Sequence, residues 1–154
     1  MSKFLDELFD DMEITANVLD VYDGDTITIE TNIPNAITSS DGKPFLIKLK
    51  CRMLGYDSPE IRTRDGNEKR MAYISKNVLV DKILNKTVKI KTRGLEKYGR
   101  LLGTVFLDDI NINEFMTGGN YGYVYGGKTK PKVKYNEDNT FEINNITYKM
   151  SEKK

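Results

Sequence analysis

Apolar residues recur along this chain with two different periods, and the switches between them mark its elements. Phe4, Leu5, Leu8, Phe9 and Met12 fall at helical spacing on an acidic background, which predicts a short amphipathic helix over residues 3–12. From Thr15 onward β-branched and aromatic residues crowd together. Residues 17–22 and 26–31 read as strands, and Asp23-Gly24 between them is a hairpin turn signal. Residues 32–44 hold two prolines, a glycine and two serines, the composition of an exposed loop. Phe45, Ile47, Leu49, Cys51 and Met53 then alternate with Leu46, Lys48, Lys50, Arg52 and Leu54. That is a third strand with one apolar face and another that ends in Arg52.

The helical period returns after Asp65. Asp65 and Glu68 stand three apart as in a capping box, Asn85 offers an end, and Met71, Ile74, Ser75, Val78, Leu79, Lys82 and Ile83 trace one largely apolar stripe. Strands over 87–92 and 101–107 follow, joined by a turn that carries Tyr98 to Arg100, and a short helix is expected over 113–117. Residues 141–150 carry a weak signal for one more strand. The fold class is therefore α+β: a five-stranded OB-type β-barrel with a helix inserted after the third strand and short flanking helices. The expected division is an acidic N-terminal segment at 1–13, the barrel domain at 14–127 and a basic C-terminal extension at 128–154.

Composition narrows the chemistry. With 154 residues, 38% of them hydrophobic and 31% charged, the chain can close one core without cross-links, and its single cysteine, Cys51, sits in an apolar run where a buried free thiol is expected. No stretch near residue 1 has the apolar length of a signal peptide or membrane span, so an intracellular protein without membrane contact is expected. The chain contains no histidine, which excludes serine triads, zinc hydrolases and imidazole-based nucleases. Oxygen ligands remain, and these suit calcium or magnesium. The net charge of +1 hides an asymmetry, because residues 1–20 carry −5 and the remainder +6. A basic body suits a polyanionic partner. The run Lys128, Lys130, Lys132, Lys134 reads either as a solvated linker or as an added contact to a nucleic-acid backbone. The N-terminal helix either packs on the barrel or engages a partner.

Three short stretches hold the charged residues that ordinary scaffold does not need: Asp23-Gly24-Asp25-Thr26, the run from Arg52 to Glu60, and Lys97-Tyr98-Gly99-Arg100. Hydrolysis of a phosphodiester needs an activated water and neutralisation of charge that grows in the transition state. Asp25 and Asp57 can give anionic oxygens to a hard cation, with the backbone carbonyl of Ser58 as a third ligand. Glu60, three residues beyond Asp57 and behind Pro59, is placed to take a proton from water. Arg52 and Arg100 offer planar forks for phosphate oxygens. Asp23 either makes the turn or supports metal-bound water, and Thr26 stands with it behind the ligands.

In this constellation the chain resembles the staphylococcal nuclease family of OB-fold nucleases, over roughly residues 17–127. Asp25 matches that family's calcium-binding aspartate, Arg52 the arginine five positions before its Asp-Thr-Pro-Glu motif, Asp57-Ser58-Pro59-Glu60 the motif itself, and Arg100 the arginine that ends its Lys-Tyr-Gly-Arg turn. The resemblance implies calcium-dependent, sugar-nonspecific hydrolysis of DNA and RNA to 3′-phosphate products, with Mg2+ as a lesser substitute. It also implies that Tyr123 and Tyr125 line the nucleotide pocket and that Lys97, with Tyr98 beside it, approaches the terminal phosphate. Single-stranded or frayed substrate and a monomeric enzyme are expected. Ser58 replaces the usual threonine, the 32–44 loop is longer than the prototype's, the segment after Glu60 is shorter, and the prototype's C-terminal helix is missing. The competing expectation is a catalytically silent nucleic-acid-binding module of the same fold; a protein-interaction domain is the third.

Overall fold

Alternation of side chains builds the barrel, and one break in it sets up the site. The computed structural model describes residues 9–32, 42 and 45–152. Strand β1 (Glu13–Asp23) buries Ile14, Ala16 and Val18 on one face. A register shift between Val18 and Asp20 then leaves Leu19 and Asp20 both outward, so that Val21 and Asp23 point inward. A β-bulge of this kind re-aims every side chain beyond it. Without it Asp23 would face solvent.

β2 (Thr26–Asn32) returns antiparallel to β1, with Asp23 opposite Thr26 across the turn that the sequence predicts. β3 (Leu46–Met53) pairs with β2, and its Cys51, Arg52 and Met53 run parallel to Leu101, Leu102 and Gly103 of β6 (Leu101–Leu107). Between them stand β4 (Tyr56–Asp57), helix α1 (Gly66–Ile83) and β5 (Thr87–Leu95), which pairs with both β1 and β6. The order β3-β2-β1-β5-β6 with the extra β3–β6 ladder closes five strands into a barrel. The interior is filled by Ile27, Ile29, Cys51, Met53, Ile90, Leu101 and Val105.

Asp65 caps α1 by accepting from the N–H groups of Asn67 and Glu68, and Asn85 past its end adopts φ +62°. Met71, Val78, Leu79 and Ile83 join the core. The capping box is only half formed, because the Glu68 carboxylate turns away to the backbone of Glu60. β7 (Ile110–Asn111) follows β6, and α2 (Ile112–Gly118) carries Asn113, whose amide accepts from Val105 N–H and donates to the carbonyls of Leu54 and Gly103. That buried amide satisfies the backbone where the barrel closes. β8 (Tyr123–Val124) pairs with β4, which sets Tyr123 opposite Asp57.

Two expectations need correction. The predicted helix over 3–12 lies in part outside the described residues. Its described end is not helical: Phe9 to Asp11 are turn and bend, with Asp11 at φ +48°. Phe9 is fully buried, its carbonyl accepts from Gly94 N–H and that of Met12 from Thr92 N–H, so the backbone of this end is laid along β5 instead of being paired within a helix. Residues 141–150 form a hairpin and not one strand: β9 (Lys134–Tyr135), β10 (Thr140–Ile143) and β11 (Ile146–Lys149) make a small antiparallel sheet. Asn144 and Asn145 both take positive φ, the conformation of a tight primed turn. Arg70 of α1 clamps this sheet through hydrogen bonds to Asn139 Oδ1 and to the carbonyls of Asn136 and Glu137. Most of the predicted 32–44 loop lies outside the described residues.

Candidate active site

Four carboxylates meet at the rim of the barrel because three local devices converge there. The β1 bulge turns Asp23 inward, the two-residue turn presents Asp25, and the exit from β4 carries Asp57 and, past Pro59, Glu60. Asp23, Asp25 and Asp57 are all buried, at 7%, 4% and 5% exposure, whereas the Glu60 side chain is half open to solvent. A cavity of about 500 Å³ is lined by Asp23, Asp25, Thr26, Arg52, Asp57 and Glu60, joined by Tyr22, Lys50, Arg100, Tyr125 and Lys130.

Buried carboxylates need compensation: Asp25 and Asp57 share a guanidinium, whereas Asp23 accepts from a backbone N–H. Arg52 reaches Asp25 Oδ2 at 3.3 Å and Asp57 Oδ1 at 3.2 Å, and donates to the carbonyl of Met53 at 2.7 Å. Asp25 Oδ2 accepts from the Ser58 N–H at 2.9 Å, and its Oδ1 from the Thr26 hydroxyl at 3.0 Å. Asp23 Oδ1 accepts from the Asp25 N–H at 3.0 Å, so Asp23 does make the turn. Burial, and after it the Asp25 charge, pushes the Asp23 carboxyl from 3.8 up to about 7. Tyr56, buried beneath, donates to the Gly24 carbonyl at 2.6 Å and fixes the turn from below.

On the other wall, the Tyr123 hydroxyl donates to Asp57 Oδ2 at 2.7 Å, and Lys130 Nζ lies 3.1 Å from the same oxygen and 3.7 Å from Glu60 Oε1. Burial raises the Glu60 carboxyl and Asp57 adds to it, with Lys130 pulling the other way. Burial works against the Lys130 charge, but its hydrogen bond to Asp57 and the two carboxylates outweigh that and hold the ammonium above its usual value. Gly122 permits the close approach of β8: a Cβ there would stand 2.8 Å from the Asp57 carbonyl oxygen and 2.7 Å from the Tyr56 ring.

The remaining expected residues divide. Arg100 lines the cavity with its guanidinium held by Glu96, Nη2 to Oε2 at 2.9 Å. Tyr125 also lines it, while its hydroxyl donates to the Lys128 carbonyl. Tyr123 packs edge-on to Tyr125 with ring centres 6.4 Å apart, and its hydroxyl is turned to Asp57. Lys97 and Tyr98 are exposed, the ammonium 5.0 Å from the ring centre, and neither lines this cavity. Sequence reasoning missed Glu68, Glu96 and Lys130, all brought in by side-chain reach. For Lys130 the lysine run was a signal, but it did not single out one member.

The donor set fits a hard cation. Asp25 and Asp57 present buried carboxylates to one guanidinium, Ser58 beside them has a buried Oγ without a hydrogen-bond partner, and no thiolate lines the cavity. Among the described residues no three acidic or thiol groups gather as ligands, so any such ion would hold water or substrate oxygens as well.

A closed OB-type barrel with an inserted helix carries clustered carboxylates and two arginines at its rim, groups that can hold a cation and an anion side by side. The family described as Staphylococcal nuclease homologue matches residues 50–145, more than half of the chain, and the chain belongs to that family. The match extends past residue 127 and takes in Arg52, Asp57, Glu60, Arg100 and Lys130, while Asp23, Asp25 and Thr26 lie before it. Two rice (Oryza sativa subsp. japonica) proteins, named "Probable staphylococcal-like nuclease CAN3" and "Probable staphylococcal-like nuclease CAN2", are each 35% identical to it over 80 residues, 52% of this chain. The chain spans about 20% of the length of these relatives. Among the described residues no helix is long and apolar enough to cross a membrane.

Proposed function

We propose that this chain is a calcium-dependent nuclease that hydrolyses phosphodiester bonds of DNA and RNA, with magnesium as the weaker substitute. The observation that carries the reading is the meeting of Asp25, Asp57, Glu60, Arg52 and Arg100 around one open cavity. Family membership and the printed names of the rice relatives support it.

Asp25 and Asp57 would hold the cation, with the Ser58 carbonyl as a further ligand. Bound there, the ion supplies charge neutralisation for the phosphate and acidifies water. Glu60 takes a proton from the attacking water, a task that a carboxyl raised above its ordinary range performs better than an unperturbed one. Arg52 and Arg100 bind the phosphate oxygens as charge accumulates on them. Attack opposite the 5′ oxygen leaves a 3′-phosphate on one product. An open cavity of this size suits one strand, which supports the reading of a single-stranded or frayed substrate.

A silent binding module is the competing reading, and the engagement of Glu60 by Lys130 favours it. Supercoiled plasmid incubated with the protein in calcium, magnesium or EDTA decides between them. Nicking and linearisation in calcium and none in EDTA is the expected result. Intact plasmid in every condition, with a retained gel shift, overturns the nuclease.

A further inference from the structure

Lys130 stands where a cation belongs. Its ammonium touches Asp57 Oδ2 and approaches Glu60 Oε1, and the side chain passes the Tyr125 ring at 5.9 Å. Asp57 thus has both oxygens engaged, Oδ1 by Arg52 and Oδ2 by Tyr123 and Lys130. A divalent cation on Asp57 Oδ2 would face the Lys130 ammonium across the same oxygen, and departure of one positive charge relieves that repulsion.

The two candidates for removal differ. The Arg52 side chain is only 15% exposed and is tied also to Asp25 and to the Met53 carbonyl. The Lys130 side chain is 53% exposed and rises from residues 125–133, a surface stretch without helix or strand that joins β8 to β9. That stretch opens with Gly126-Gly127, where Gly127 adopts φ +88°. Lys130 can leave without disturbing the barrel.

We propose that Lys130 is a tethered competitor for the divalent cation: it occupies the Asp57–Glu60 position when no ion is bound, and so sets the affinity of the site. The inference rests on reading Asp57 as a cation ligand. It adds that this chain carries its own counter-ion on the segment after β8, so cation binding and release of that segment are one event.

The test is calorimetric titration of calcium into EDTA-stripped full-length protein at low salt, with Lys130→Met and Lys130→Arg alongside the parent. Lys130→Met keeps the stem and loses the charge, and should bind calcium at least ~10-fold more tightly, since the parent must break a charge-assisted hydrogen bond first. Lys130→Arg should bind like the parent, and the gap should narrow at high salt. A second readout needs no variant. Acetylation of lysines by an N-hydroxysuccinimide ester, followed by mass spectrometry, should label Lys130 more slowly than Lys128 in EDTA and at a similar rate in calcium. If Lys130→Met and the parent both bind calcium within twofold of each other, the competition is refuted while the cation site stands. If neither binds calcium or magnesium, the cation site falls and the competitor with it.

Discussion

Replacing Asp23 with Asn should make the cation-free protein more stable, and by an amount that depends on pH. Asp23 is 7% exposed and sits beside the Asp25 carboxylate, and these two causes lift its carboxyl from 3.8 to about 7. A group that binds its proton more tightly when folded adds stability that is complete below the unfolded value and is lost as pH rises through the folded one. The window is therefore pH 4 to 7, with a plateau above. At about 1.4 kcal/mol per pH unit, the full loss is on the order of 4 kcal/mol. Asn retains the oxygen that accepts the Asp25 N–H at 3.0 Å, so the turn survives while the charge is removed. Urea unfolding in EDTA at intervals from pH 4 to 9 measures this as the difference between variant and parent. That difference should be near zero at pH 4, grow to about 2–4 kcal/mol in favour of Asp23→Asn by pH 7, and then stay level. A difference that does not change with pH refutes the argument that burial holds this carboxyl up.

Tyr123→Phe removes the 2.7 Å donor to Asp57 and should weaken calcium binding about 10-fold or more, measured by calorimetry; unchanged affinity would detach Tyr123 from the site. Glu68→Gln disturbs the carboxylate that accepts the Glu60 N–H and the Thr63 hydroxyl, and should lower kcat about 10-fold with little change in KM. Because the Glu68 charge helps raise Glu60, the acid limb of the rate profile should move to lower pH in this variant, a shift that loss of packing alone would not produce. Gly122→Ala forces a Cβ against the Asp57 carbonyl and the Tyr56 ring, and should cost about 1–3 kcal/mol in urea unfolding while weakening calcium binding.

Elements with strong local signals were legible in the chain. Asp65 caps α1, Leu101 to Leu107 alternates as a strand, and Asp23-Gly24 turns the chain where an Asp-Gly pair should. The barrel followed because each strand had one apolar face. What stayed hidden depends on contacts between residues far apart in sequence. The β1 bulge between Val18 and Asp20 has no glycine or turn signal in the sequence, yet it decides that Asp23 is buried. Glu68 reads locally as the second half of a capping box, and only the short path from Glu60 to α1 makes it a partner of the Glu60 backbone. Tyr123 and Tyr125 share a face as alternation predicts, but the pairing of β8 with β4 turns the Tyr123 hydroxyl onto Asp57. Lys130 is one of four alternating lysines, and nothing in their spacing distinguishes it from Lys128 or Lys132.

The central claim is that Glu60 is the base of a cation-assisted hydrolysis, and single-turnover cleavage of an end-labelled single-stranded oligonucleotide by Glu60→Gln tests it most directly. With calcium saturating and its binding verified by calorimetry, the variant should cleave about 10²- to 10⁴-fold more slowly than the parent. Cleavage by Glu60→Gln at the parent rate would contradict the account.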